Sequence, residues 1–187
     1  MAEPPRRLVL CVGNPDRGDD GAGRLVAALL RGRVPADVVV AECDGGAAGV
    51  IEAFSGVDCV FVIDAAVSGA SAGTIHRVDC AAGEALPAGR AASSHGLGVA
   101  EAIALARMLG CLPRQCVVYA IEGARFDVGA DVSPAVADAA REVAEGVLLS
   151  CPSVIASWPP AGGVRPALGE TAAPCHCEAA WPKQSCS

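Results

Sequence analysis

Short apolar runs alternate along the chain with longer stretches in which apolar residues recur every three or four positions. The runs predict buried strands at 7–13, 37–42, 58–66 and 115–123, and a more strictly alternating run predicts an edge strand at 73–78. The longer stretches predict helices at 20–30, 44–54, 93–110 and 133–149. Strands that alternate with helices pair in parallel and are covered by helices on both faces. The predicted fold class is therefore α/β, a three-layer α/β/α domain around a mostly parallel twisted sheet.

This alternation stops near residue 150 and divides the chain in two. A single α/β domain is predicted over 6–150. The remaining segment, 151–187, is rich in Cys, Pro and Gly, has no periodicity and predicts a poorly ordered tail. Its Cys-His-Cys sequence at 175–177 suits a soft metal, but no second ligand pair has the spacing of a zinc site, which favours incidental thiols.

Composition narrows the possible functions and locations. The net charge is −7 and there is no basic stripe, which argues against a nucleic-acid partner. No apolar stretch approaches the ~20 residues of a membrane span. The N-terminal apolar run is too short for the h-region of a signal peptide, so we expect a cytoplasmic protein with no membrane partner.

The chain contains ten cysteines, but their positions do not indicate a disulfide scaffold. Cys11, Cys59 and Cys116 lie inside predicted strands, where a thiol behaves as a small hydrophobe. No CxxC pair occurs. Disulfides are therefore not expected before residue 150, which fits a reducing compartment.

The sequence GNPDRGDDGAG at 13–23 follows the first predicted strand as a phosphate-binding loop would, but it lacks the chemistry of one. It has no Lys followed by Ser or Thr after its glycines and no G-x-G-x-x-G spacing. Asp19 and Asp20 would repel a phosphate, so a cation is the better ligand. Each of the two also suits the start of the following helix, and the residues alone leave both roles open.

Two further residues are candidates to join this loop. Asp64 ends a predicted strand after four apolar residues, where an ionised carboxylate needs a partner or a cation; a turn-forming role is the alternative. His95 lies at the start of a predicted helix, whose dipole favours the neutral imidazole that metals bind, although exposed histidines are common there. With Asp20, these residues would supply two oxygen ligands and one nitrogen, leaving open positions. His76, beside Arg77 in the edge strand, is interpreted as exposed and structural.

Four sequence blocks together resemble the hydrogenase maturation protease family, the endopeptidases that trim the C-terminal extension from the large subunit of nickel-iron hydrogenases. The blocks are GNPDRGDDGAG, DGGAAG, VIDA, and SSHGLGVAEAIALARMLG followed by LP. They occur in the family's order and spacing over about residues 7–149. The resemblance implies a twisted sheet flanked by helices, as the hydrophobic pattern predicts, and it offers no counterpart for the segment after residue 150.

The resemblance also implies which residues act. The implied metal-binding and catalytic residues are Asp20, Asp64 and His95. The implied substrate-recognition turn is Asp44, Gly45 and Gly46. Many relatives have Glu where this chain has Asp20, which shortens the reach of that ligand by one methylene group. Asp19 is then the helix-start residue of the pair.

Nickel and a protein partner follow from the same resemblance. The precursor of a [NiFe] hydrogenase large subunit would arrive with nickel already inserted, and the three ligands would engage that nickel, so that only loaded precursor is cleaved. Nickel would thus be supplied by the substrate rather than held as a resident cofactor. A non-catalytic nickel-binding protein or metallochaperone is the alternative. A generic nucleotide-binding module is disfavoured by the acidic loop.

Overall fold

The computed structural model describes residues 6–86 and 98–150 of the 187-residue chain. The strands of this part are Arg7–Val12 (β1), Val38–Cys43 (β2), Cys59–Ala66 (β3), Ile75–Asp79 (β4) and Gln115–Glu122 (β5). Its α-helices are Ala22–Leu30 (α1), Ala47–Ala53 (α2), Val99–Met108 (α3) and Pro134–Ser150 (α4). The segment 151–187 lies outside the described residues, so the division at residue 150 stays a prediction.

The five strands form one sheet in the order β2-β1-β3-β5-β4. β1 pairs in parallel with both β2 and β3, and β3 pairs in parallel with β5. β4 is antiparallel to β5 and lies at the edge of the sheet. The predicted α/β architecture and the predicted edge strand are therefore confirmed. In a sheet of this kind the carboxyl ends of the parallel strands share one edge, where functional sites gather.

Helices cover both faces of the sheet and bury two separate apolar clusters. α1 and α4 pack on one face, and α2 and α3 pack on the other. Side chains alternate between the faces along each strand, so that Val9 and Cys11 join the first cluster while Leu8 and Leu10 join the second. The predicted apolar face of the last helix is buried as expected, at Val136, Ala140, Val143 and Val147.

Two glycines allow the first helix to begin directly behind β1. A Cβ at Gly23 would overlap the carbonyl oxygen of Val12 and lie 3.0 Å from that of Ile63, so α1 can approach β1 and β3 this closely only without a side chain there. Gly13 has a φ of +129°, and a Cβ there would overlap the carbonyl oxygen of Asp20. The loop therefore folds back tightly and holds Asp20 at the carboxyl edge of the sheet.

Two of the three cysteines predicted as buried strand thiols are buried. Cys11 and Cys116 are fully buried in the core, whereas Cys59 is partly exposed. Cys11, Cys43, Cys59, Cys80 and Cys116 are free thiols. Among the helices of residues 6–86 and 98–150, none combines the length and the apolar character that a membrane span requires.

Candidate metal-binding site

Asp20 lies in a single 3₁₀ turn, Gly18–Gly21, between β1 and α1. The turn contacts β3, and Asp20 is only 5% exposed. The backbone N–H of Asn14 donates a 3.2 Å hydrogen bond to Oδ2 of Asp20. Desolvation raises the pKa of Asp20 above its ordinary value, and the Asn14 hydrogen bond and the charge of Arg17 oppose it only partly. A carboxylate with so few donors has oxygen lone pairs left for another ligand.

Asp64 lies on β3, next to the turn that carries Asp20. The strand continues two residues past Asp64, to Ala66, because residues 64–66 pair with Ala120–Glu122 of β5. Desolvation and the negative charge of Asp20 raise the pKa of Asp64 to about 7, although the hydrogen bond from the N–H of Ala65 acts to lower it. Two neighbouring carboxyl groups that each resist ionisation are a favourable place for a cation, because its charge would offset both the desolvation and their mutual repulsion.

Asp19 has a different role from its neighbour. It is fully buried, and its carboxylate accepts hydrogen bonds from the N–H groups of Ala124 at 2.8 Å, Arg125 at 3.0 Å and Ser133 at 2.7 Å. Burial acts to raise the pKa of Asp19, but these hydrogen bonds outweigh it and lower the pKa below its ordinary value. Asp19 does lie at the start of the helical segment, in the 3₁₀ turn that runs into α1, but its carboxylate caps neither the turn nor α1. Asp19 instead fastens the β5–α4 connection to the loop.

The turn after β2 lies beside the same loop. The side chain of Asp44 is 86% exposed, yet its carboxylate accepts a 2.8 Å hydrogen bond from Arg24 of α1. Gly45 has a φ of +93°, which favours glycine, and Gly46 precedes the first residue of α2. A Cβ at Gly46 would meet nothing within 4 Å, so this side of the turn is open to a ligand. The structure thus brings the predicted recognition turn to the edge that carries Asp20.

The third predicted metal ligand, His95, lies outside the described residues. α3 follows it and runs away from the edge that carries the two aspartates. Near the far end of this helix, Arg107 donates a 2.6 Å hydrogen bond to the carbonyl of Cys80, whose N–H bonds to Cys116 near the start of β5. A ten-residue helix is about 15 Å long, so its first residue, Val99, lies toward the carboxyl edge. Over residues 6–86 and 98–150 alone, no group of three or more His, Cys, Asp or Glu side chains could hold a metal.

One further buried carboxylate, not predicted from the sequence, also lies at this edge. Glu122, at the end of β5, is 1% exposed and accepts hydrogen bonds from the N–H and hydroxyl of Ser68 and from the N–H of Gly69. It therefore holds the β3–β4 connection. His76 is partly buried, with Nε2 3.5 Å from Glu122, so the expectation that it is exposed is wrong. The sequence did contain a signal for Glu122, because it is an acidic residue at the end of an apolar run, the same pattern that marks Asp64.

Several solved structures share this fold. A solution structure of an endopeptidase from Escherichia coli superposes with a TM-score of 0.64 at 20% identity, over 77% of this chain and 91% of the other. The hydrogenase maturating endopeptidase HybD from E. coli superposes with a TM-score of 0.61 at 22% identity, over 78% and 91%. At these identities the likeness establishes the fold alone.

Sequence comparisons identify the family to which the chain belongs. The hydrogenase expression/formation protein HupM of Azotobacter chroococcum mcd 1 is 28% identical over 159 residues, which are 79% of this chain and 76% of HupM. HupD of Thiocapsa roseopersicina, also a hydrogenase expression/formation protein, is 32% identical over 130 residues, 68% of this chain but only 58% of HupD. The family model for hydrogenase maturation proteases matches residues 24–150. With this match over most of its length, and with the fold and the loop arrangement described above, the chain belongs to the hydrogenase maturation protease family.

Proposed function

We propose that this protein is a cytoplasmic endopeptidase that removes the C-terminal extension from the nickel-loaded precursor of a [NiFe] hydrogenase large subunit. One observation carries the proposal beyond family membership. Asp20 and Asp64, from two separate segments of the chain, lie side by side at the carboxyl edge of the sheet, with pKa values raised by desolvation. Such a pair favours a divalent cation over a phosphate or a neutral peptide group.

The donor set suits nickel that arrives with the substrate. Asp20 and Asp64 would supply carboxylate oxygens and His95 an imidazole nitrogen. Three protein ligands leave coordination positions open, which thiolates of the precursor would fill. In this proposal the three residues hold the precursor by its nickel and orient the peptide to be cut, so that cleavage is confined to loaded precursor.

The turn at 44–46 would then recognise the precursor polypeptide. Gly46 is only partly buried, and the open space where its side chain would lie admits an approaching chain. This arrangement supports the assignment of the turn to substrate recognition.

The direct test is a cleavage assay with purified full-length protein and hydrogenase large-subunit precursor, prepared with and without nickel. We expect a C-terminal peptide to be released from loaded precursor only, detected by gel mobility and by the mass of the peptide. Asp20→Asn should abolish release. Asp16→Asn, a change at an exposed position of the same loop, is the matched control and should cleave normally.

The alternative, a non-catalytic nickel carrier, predicts a different result in the same assay. Nickel would move between the two proteins while the precursor kept its full mass. Measurement of nickel in each protein after separation distinguishes the two outcomes. Nickel transfer without peptide release would overturn the protease proposal.

A further inference from the structure

Arg24 of α1 makes three hydrogen bonds at the junction of the two loops that form the site. Its Nε donates to the carbonyl oxygen of Gly13 at 2.8 Å. One terminal nitrogen donates to Glu42 at 2.7 Å and the other to Asp44 at 2.8 Å. Its side chain is 20% exposed, although the carboxylate of Asp44 that it holds is 86% exposed. One partly buried guanidinium thus binds a surface turn to the loop after β1.

A continuous series of hydrogen bonds connects the recognition turn to the proposed metal ligand through Arg24. Asp44 is bound to Arg24, and Arg24 is bound to the carbonyl of Gly13. The next residue, Asn14, donates its N–H to the carboxylate of Asp20. The turn and the ligand are therefore held in a defined relative position by three side chains and one stretch of backbone.

The other contacts of this group allow the role of Arg24 to be isolated. The N–H of Gly13 donates to the carbonyl of Cys43 at 3.1 Å, so Gly13 stays anchored to β2 without Arg24. Arg31 donates to the second oxygen of Glu42 at 2.6 Å but is 70% exposed. Arg31 thus shares one carboxylate with Arg24, and within residues 6–86 and 98–150 its side chain makes no hydrogen bond to either loop of the site.

We propose that Arg24 is a positioning residue for substrate recognition, which fixes the Asp44–Gly45–Gly46 turn against the loop that carries Asp20. This inference rests on the proposed function, since it assigns the turn to the precursor polypeptide. Arginine suits the role because a planar guanidinium reaches three acceptors in fixed directions, whereas a lysine ammonium has no such fork. Loss of Arg24 frees the turn while Asp20 keeps its hydrogen bond from Asn14.

Kinetics of precursor cleavage test the proposal. Arg24→Gln should raise KM about tenfold, the effect of losing a charge-assisted hydrogen bond, and leave kcat within about twofold. Arg31→Gln, the matched control, should leave both constants at the wild-type values. Arg24→Lys should fall between wild type and Arg24→Gln. An unchanged KM in Arg24→Gln, or a fall in kcat alone, would overturn the proposal, and absence of cleavage by wild type would instead overturn the proposed function.

A second variant and a second measurement guard against misfolding. Asp44→Asn removes only the exposed end of the connection and should raise KM as Arg24→Gln does, and the double variant should be no worse than either single one, because both remove the same contact. Amide hydrogen exchange needs no substrate: residues 43–47 should exchange faster in Arg24→Gln than in wild type or Arg31→Gln. Additive effects on KM, or unchanged exchange at 43–47, would show that Arg24 does not position the turn.

Discussion

The N–H of Ser133 donates a 2.7 Å hydrogen bond to the carboxylate of Asp19, although the two residues are 114 positions apart in the chain. Within the part of the chain that the structure describes, the carboxylate of Asp20, the next residue, accepts a hydrogen bond only within its own loop, from the N–H of Asn14. The two adjacent carboxylates therefore have separate tasks. Asp19 joins the β1–α1 loop to the β5–α4 connection, and Asp20 keeps oxygen atoms available at the site.

We expect Asp19→Asn to lower the free energy of unfolding by about 3 kcal/mol, because an amide nitrogen would face backbone N–H donors that have no other partner. Urea unfolding followed by circular dichroism measures the effect. Asp16→Asn, in the same loop but exposed, should stay within about 0.5 kcal/mol of wild type. Equal stability of Asp19→Asn and wild type would contradict the assigned role.

Substitutions of the proposed nickel ligands should separate activity from stability. Asp20→Asn, Asp64→Asn and His95→Ala should each abolish precursor cleavage. The two Asn variants should be at least as stable as wild type, since an amide avoids the desolvation that raises the pKa of both carboxyl groups. The cleavage assay measures activity and thermal unfolding measures stability, both on the same preparations. A large loss of stability in either Asn variant would point to a structural carboxylate.

The fold could be predicted from the sequence because each strand and helix carries its own periodicity. Asp20 and Asp64 could be found because charge at the end of an apolar run is conspicuous. The role of Asp19 could not, since its partners are backbone N–H groups of residues 124–133, which leave no mark in the sequence. Glu122 does leave a mark in the sequence, because it ends an apolar run as Asp64 does, but that mark does not give its role. Only its hydrogen bonds with the 67–74 connection reveal that it holds a loop.

Glu122 makes the stability of the fold depend on pH in the acid range. Burial acts to raise its pKa, but hydrogen bonds from Ser68 and Gly69, together with the imidazole of His76 at 3.5 Å, outweigh this and lower the pKa below the ordinary value of 4.5. The unfolded chain therefore binds this proton at a higher pH than the folded protein does. The stabilisation is complete above pH 4.5 and is lost as the pH falls through the lower, folded-state pKa.

Glu122→Gln should consequently lower the free energy of unfolding by about 2 kcal/mol at neutral pH, and the difference from wild type should shrink as the pH falls below 4.5. Urea unfolding at a series of pH values measures it. Glu145→Gln, whose carboxylate is 61% exposed, serves as the control and should keep the pH dependence of wild type. A difference between Glu122→Gln and wild type that does not change with pH would count against the titration of Glu122.

Gly23→Ala should destabilise the domain by about 3 kcal/mol, because the added Cβ would force α1 away from β1 and β3. Gly146→Ala is the matched change in α4, where the nearest atom to a new Cβ is the hydroxyl of Tyr119 at 4.0 Å. It should raise stability by about 0.5–1 kcal/mol through helix propensity. Melting temperatures of the two variants should thus move in opposite directions, and movement in the same direction would refute the close-packing argument.

Truncation after Ser150 should leave precursor cleavage within about twofold of the full chain, since Asp20, Asp64, His95 and the recognition turn all precede that point. The measurement is the initial rate of peptide release by the two proteins at equal concentration. Loss of cleavage with an unchanged melting temperature would assign the segment 151–187 a part in the reaction.

The hydrogen bonds that reach Asp19 also set the order in which the site can be completed during protein synthesis. The ribosome makes GNPDRGDDGAG about a hundred residues before it makes residues 124–133, whose N–H groups hold Asp19. The loop that carries Asp20 therefore takes its final shape only after β5 and the connection behind it have left the ribosome. A nascent chain interrupted before that point has no assembled site.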